Sequence, residues 1–332
     1  MLEKKPYWAD VPAMLQYEIE QMMGSRIVKA DRVFGGFGPS ATFRLYMEDG
    51  RTIFAKGAGK GSTSYNWESV SSEEYIYETV NCIKPFAPVY LGSMKTSEWH
   101  LIFLEDVSKD REVPPWTENL AKQAMHGIAN FHISGLDERE KVTTIDITEY
   151  NENWKSLKEN EAKRECFFAL YGDKKSEAEF WFWEVIDQLM DAEGDVLASD
   201  QPWGLIHFDL RADNMRFRDG RLILFDWSLM CYGPLILDAT FFFPSVKGQG
   251  GPTAKVLMRE YQKVLKKINI TFPHFCIDAA AAFTAGYFAS RAGKEQKPLL
   301  PRIRELQRMQ LGPALEWMTI RMNLPQSPCI KF

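Results

Sequence analysis

Hydrophobic and polar positions alternate differently along the two ends of this chain. Residues 14–23 carry apolar side chains at helical spacing, and Gly24-Ser25 ends that run. From 27 to 56 the period shortens. Ile27-Val28, Val33-Phe34, 42–47 and 52–55 predict short strands. Glu48-Asp49-Gly50-Arg51 supplies a turn between the last two, because Asp-Gly tolerates the positive φ of a tight hairpin. Residues 68–80 predict a helix, with Ser71 or Ser72 as candidate caps. Residues 89–91 and 99–104 predict two more strands.

After Asp106 the periodicity becomes helical. Residues 117–134 place Leu120, Ala124, Ile128 and Phe131 on one face. Helices are expected over 147–170, 175–192, 253–268, 275–292 and 299–322, and strand-like runs over 205–208, 214–217 and 222–225. The change near Glu105-Asp106 predicts two packed units, 1–105 and 106–332, with no Gly/Ser linker between them.

Composition narrows the class. A chain of 332 residues, 45% hydrophobic and 26% charged, can bury a core without staples and is neither collagen-like nor disordered. A net charge of −5 gives no bulk basic field for nucleic acid. The five cysteines are scattered with no CxxC pair, which predicts reduced, buried thiols. The polar, proline-containing start resembles no signal peptide, and the longest small-apolar run, 277–289, is too short and interrupted to span a bilayer. A cytoplasmic protein without membrane contact is expected.

The densest chemical signal is His207-Phe208-Asp209-Leu210-Arg211-Ala212-Asp213-Asn214, followed by Leu224-Phe225-Asp226-Trp227. A hairpin turning at Arg218-Asp219-Gly220-Arg221 would return Asp226 beside Asn214. Two carboxylates and an amide oxygen then gather, a donor set suited to Mg2+. Upstream, Gly35-Gly36-Phe37-Gly38-Pro39-Ser40 is small enough to bring backbone N–H groups to phosphate oxygens, although such a segment is more often just a turn. Lys56 ends the strand after it; taken alone, it would be a snorkelling edge residue.

Together these motifs resemble the small-molecule branch of the protein-kinase superfamily: the aminoglycoside phosphotransferase, choline kinase and ecdysteroid-kinase-like families. H-F-D-L-R-A-D-N matches H-x-D-x-x-x-x-N, F-D-W stands where protein kinases carry DFG, and Gly233-Pro234 with Asp238 looks like the stretch that follows. The resemblance implies an α+β, protein-kinase-like bilobal fold, with an antiparallel N-lobe sheet carrying one main helix and a mostly helical C-lobe. It implies transfer of the γ-phosphate of ATP to a hydroxyl of a small molecule. By the same resemblance, Asp209 is the base and Asn214 and Asp226 hold Mg2+. Lys56 pairs the phosphates, braced by Glu73 (with Glu74 next), Glu73 preceding Tyr77 as in E-x-x-x-Y. Gly36, Gly38 and Ser40 cover the phosphates, and Leu104 to Asp106 meet adenine through their backbone. His207 supports the loop, Arg211 and Asp213 brace it, and Trp227 packs.

The acceptor is less determined. Residues 137–200 carry eight basic and eighteen acidic side chains, net −10, whereas 290–332 carry eight and three, net +5. Trp154, Trp181, Trp183 and Trp317 offer an aromatic cage or, more simply, core packing. The C-terminus lacks the acidic ending of several aminoglycoside enzymes. A nucleotide-binding pseudoenzyme serving as an interaction module and an atypical protein kinase are the alternatives. The complete Lys56, Asp209, Asn214 and Asp226 set weighs against the first, and the short spacing from Asp226 to Asp238 weighs against the second. Oligomeric state is not readable from the sequence.

Overall fold

The computed structural model describes residues 4–34, 39–59, 61–148, 150, 152–297 and 300–330. Its elements run α1 (Ala13–Met23), β1 (Ile27–Arg32), β2 (Ala41–Met47), β3 (Thr52–Ala58), α2 (Ser64–Thr79), β4 (Tyr90–Lys95) and β5 (His100–Glu105). They continue with α3 (Glu118–Ser134), α4 (Asn153–Glu159), α5 (Glu161–Phe168), α6 (Lys175–Gly194), β6 (Trp203–Ile206), β7 (Met215–Arg218) and β8 (Arg221–Leu224). The chain closes with β9 (Cys231–Pro234), α7 (Leu235–Gly248), α8 (Ala254–Leu265), α9 (His274–Ala292) and α10 (Ile303–Arg321). Two compact units result. The first holds residues 1–112, 213–230 and 297–301; the second holds 113–212, 231–296 and 302–332.

The first unit is built on an antiparallel sheet of order β1-β2-β3-β5-β4. Alternation sets its two faces. Phe43, Leu45, Ile53, Ala55, Leu101 and Phe103 point to one face, where Leu15, Ile19 and Met23 of α1 pack on them. Phe54 and Lys56, the intervening residues of β3, point to the other. Gly24 ends α1 in the left-handed region at φ 67°, which a residue without Cβ adopts freely. Thr63 caps α2 by accepting from Asn66 N, so the helix starts earlier than expected, and Ser71 and Ser72 lie inside it. The β7–β8 hairpin belongs to this unit. Arg218 pairs with Arg221 across a turn whose Asp219 and Gly220 have φ 50° and 77°.

The second unit is helical apart from the β6–β9 pair. The expected helix over 147–170 is two helices, because the Asn160 side chain accepts from Lys163 N and starts α5 afresh. Helix α7 has no counterpart in the sequence reading. Its side chains are buried nearly all round, so it carries no amphipathic period to detect. Glu193 of α6, 2% exposed, accepts from Asn153 N, Asn153 Nδ2 and Trp154 N, and so satisfies the start of α4. The cysteines divide. Cys231 and Cys276 are buried as expected, whereas Cys166 and Cys329 are exposed. Among the described residues no helix is long and apolar enough to cross a membrane.

Two stability predictions follow from this packing. A Cβ on Gly57 would stand 1.9 Å from the His100 carbonyl oxygen, inside the β3–β5 ladder, whereas one on Gly194 would meet nothing within 4 Å. Gly57→Ala should lower the thermal midpoint sharply, whereas Gly194→Ala should change stability by no more than about 0.5 kcal/mol; equal midpoints would refute the close approach. Burial pushes the Glu193 carboxyl up to about 7 against the Asn153 and Trp154 N–H groups and Arg291. Between the ordinary 4.5 and about 7 the folded protein therefore holds a proton that the unfolded chain has released, so this group's contribution is lost as pH rises. Relative to Glu193→Gln, wild type should lose on the order of 3 kcal/mol across that window in urea unfolding; parallel profiles would refute it.

Candidate functional site

In the first unit the chemistry gathers on the free face of β3. The β2–β3 register sets Thr42 opposite Lys56, and the β3–β5 register sets Ile102 opposite it. Lys56 Nζ lies 2.7 Å from Glu73 Oε2 and 2.6 Å from Asp226 Oδ1. Burial works to lower the pKa of this ammonium, but Asp226 and Glu73 outweigh it and hold the group charged. Glu73 is fully buried, which pushes its carboxyl up against the Lys56 charge. Its place on α2 explains why it is the partner. Val70, Glu73, Ile76 and Tyr77 form the buried face of the helix, while Glu68 and Glu78 point outward. Glu74, the second candidate, is 2.8 Å from His100 Nε2 instead.

Asp226 and Asn214 are joined by the hairpin. Phe225 N donates to the Asn214 carbonyl at 3.1 Å, which closes the ladder and sets the two residues at its open end. Asp226 adopts φ 69°, and Trp227 N next to it donates to Glu73 Oε1 at 3.3 Å. A left-handed aspartate is a costly backbone state, held here by its neighbours on both sides. Trp227 is fully buried, as packing requires. Lys56, Glu73, Asn214 and Asp226 line one solvent-open cleft with the apolar Phe54 and Leu104. Val33, Pro88 and Phe225 add apolar wall.

The other expected residues of this unit fall as follows. Leu104 and Asp106 line the cleft. The Asp106 carboxylate accepts from Arg44 Nε at 2.9 Å and from Ser108 N at 3.1 Å, so it braces the exit of β5. Ser40 Oγ accepts from Asn66 Nδ2 at 3.3 Å, tying it to the start of α2. Gly36 and Gly38 lie outside the described residues. Sequence reasoning gave Arg218 only a place in a turn. Its guanidinium pairs Glu105 at 2.8 Å and Asp110 at 2.7 Å, fixing the segment after β5 to the hairpin.

In the second unit the loop after β6 hangs on one buried carboxylate. Asp238, fully buried at the start of α7, accepts from His207 N at 2.7 Å and Phe208 N at 2.8 Å. His132 Nε2 lies 3.0 Å from the same carboxylate, and its Nδ1 is 2.6 Å from the Tyr261 hydroxyl. These bonds hold Phe208 at φ 61° and present Asp209 at the surface, where it pairs with Arg211 at 3.2 Å. His207 is fully buried, its Nδ1 accepting from Asp209 N at 3.3 Å. His132 and Tyr261 were missed. A lone histidine near a helix end and a tyrosine in an amphipathic helix carry no signal until the fold joins them. Of the four tryptophans weighed as a cage, Trp154, Trp181 and Trp317 are buried in packing and Trp183 is half exposed.

The donors in the cleft are hard oxygens, the set that suits a small divalent cation. Among the described residues, no three His, Cys, Asp or Glu side chains converge as a self-sufficient metal cage. A cation at Asn214 and Asp226 therefore needs further oxygens from a ligand, which is how Mg2+ is held in phosphate sites.

Comparison with known proteins agrees with this layout. A model described as the phosphotransferase enzyme family matches residues 119–268. Spectinomycin phosphotransferase, in complex with ADP and spectinomycin, is 13% identical, with 93% of this chain and 98% of that one covered at a TM-score of 0.59. An aminoglycoside phosphotransferase from Alicyclobacillus acidocaldarius is 12% identical, with 90% and 92% covered at 0.60. Amicoumacin kinase, in complex with AMP-PNP, Ca2+ and Ami, is 12% identical, with 96% of each chain covered at 0.55. No curated protein sequence matches the chain. The chain thus has the α+β, protein-kinase-like fold of the aminoglycoside phosphotransferases, and its residues 119–268 match the phosphotransferase enzyme family.

Proposed function

We propose that this protein is an ATP-dependent phosphotransferase that moves the γ-phosphoryl group to a hydroxyl of a small molecule. The observation that carries the reading is the cleft of the first unit, where apolar walls from Phe54, Leu104 and Phe225 meet a lysine held between two carboxylates. A purine fits the first feature and a polyphosphate the second. The match of residues 119–268 to a phosphotransferase family supports it.

Lys56 binds the α- and β-phosphates, and Glu73 keeps the ammonium in place when Asp226 turns to other work. Asn214 and Asp226 would hold Mg2+, which neutralises charge on the phosphates. Asp209 accepts a hydrogen bond from the acceptor hydroxyl and orients its oxygen. The new O–P bond forms as the bond from the γ-phosphorus to the β-phosphate oxygen breaks. The hydroxyl proton passes to Asp209, and ADP leaves. Ser40, with the glycines 36 and 38 by resemblance, would cover the phosphates, and backbone groups of Leu104 to Asp106 would meet the base. The acceptor is a hydroxylated small molecule rather than a protein or nucleic acid, in keeping with the short stretch between Asp226 and α7.

The assignment is tested by ADP release and Mg-ATP binding measured together. Asp209→Asn should bind Mg-ATP like wild type and lose roughly 10²–10⁴-fold in turnover. Asp226→Ala should lose the metal-dependent part of ATP binding. Wild-type turnover by Asp209→Asn would overturn the role of the base, and a wild-type protein that does not bind Mg-ATP would overturn the whole reading.

A further inference from the structure

The surface beside Asp209 is aromatic. Phe208 contacts Tyr150 at 6.4 Å and Phe241 at 6.0 Å between ring centroids. Tyr287 closes the group, 6.1 Å from Tyr150 and 5.3 Å from Phe241. All four side chains keep partial exposure, although the rings behind them, Phe283 and Phe288, are buried. Aromatic side chains contribute most when fully covered. Four adjoining rings left partly open beside a loop carboxylate therefore form a wall that a ligand can cover.

The charge at this wall is not that of a site for polycations. Arg291 lies 4.1 Å over the Tyr287 ring and 5.6 Å from that of Tyr150, so the cation-binding faces already carry a guanidinium. Its Nη1 is fixed by Asn153 Oδ1 and Ser290 Oγ, both at 2.7 Å. Among the charges that act on the Tyr287 hydroxyl, the Arg291 guanidinium outweighs the Asp209 carboxylate. Of the acidic residues in 137–200, Glu193 is buried behind Asn153 and gives the wall no open carboxylate.

From this juxtaposition we infer that the acceptor is an alcohol bearing an apolar ring framework, stacked on Tyr150, Phe208, Phe241 and Tyr287 with its hydroxyl at Asp209, and not a polyamino sugar. The inference rests on the phosphotransferase reading for the role of Asp209. The wall itself does not depend on that reading, and binding can be measured apart from turnover.

The test has two arms. In the first, ADP release from Mg-ATP by wild type is compared for fused-ring and aryl alcohols and for amino sugars with several ammonium groups. The ring-bearing set should show at least a 100-fold higher kcat/KM. Tyr287→Ala should raise KM for such an alcohol about tenfold or more and leave KM for Mg-ATP unchanged, while Tyr287→Phe keeps the wild-type value. In the second, the same alcohols are titrated calorimetrically into Asp209→Asn, alone and combined with Tyr287→Leu, so that an unstable alanine variant does not decide the matter. Binding that the Tyr287 change weakens supports the wall; if it comes without ADP release from wild type, the phosphotransferase reading fails and the wall stands. Equal or better turnover of amino sugars, or no binding of any ring-bearing alcohol, would overturn the inference.

Discussion

The second unit depends on a carboxylate taken out of water. A buried ionised group is tolerated only when its oxygens are fully engaged. Asp238 meets that condition with two backbone N–H groups of the loop and a histidine from α3. The demand runs in both directions. The carboxylate needs the loop, and the loop needs the carboxylate, because the bonds to His207 N and Phe208 N help hold Phe208 in the left-handed region. His132 is in turn set by Tyr261 of α8, so one charge ties together α3, β6, α7 and α8. A residue with no exposure thereby helps set the loop that carries the partly exposed Asp209.

The first unit solves the same problem with the signs reversed. Its buried group is an ammonium, and it is matched by two carboxylates from elements distant in sequence, α2 and the end of the β7–β8 hairpin. Placing one cation between two anions leaves an excess of negative charge, which is costly unless a further cation joins. That imbalance is the physical reason for reading Asp226 as a metal ligand rather than as a plain salt-bridge partner. Strand geometry keeps the arrangement rigid. The alternation that buries Ile53 and Ala55 against α1 sends Phe54 and Lys56 to the cleft, and Gly57 lets β5 approach close enough to lock the register.

What the sequence made legible follows from range. The turn at Asp219-Gly220 and the strands it joins are local, so the return of Asp226 to Asn214 could be read from spacing alone. Glu73 could be preferred over Glu74 only by resemblance, because the buried face of α2 is set by the sheet beneath it and not by the helix itself. Helix α7 was invisible for the opposite reason: burial on every side erases the polar stripe that periodicity detects. His132, Tyr261 and Arg218 were out of reach because their partners lie far away in sequence, and single polar residues have many ordinary uses. The tryptophans mostly serve as packing, the simpler of the two readings the sequence offered. Three of them are core, and the partly exposed rings beside Asp209 are phenylalanines and tyrosines supplied by separate segments.

Phe208 belongs to both arrangements in the second unit, and this has a consequence for how specificity can vary. Its backbone N–H is held by Asp238, while its ring forms part of the aromatic wall. A change at Phe208 therefore acts on a residue held at φ 61° next to Asp209 as well as on the ring that the wall presents. Tyr287 on α9 and Phe241 on α7 carry no such double duty, since their backbones are satisfied within their own helices. On the proposed reading, the loop anchors the chemistry and the helices carry the adjustable part of the ligand surface. On that reading, substitutions on α7 and α9 change the acceptor surface while the carboxylate beneath the loop stays fixed.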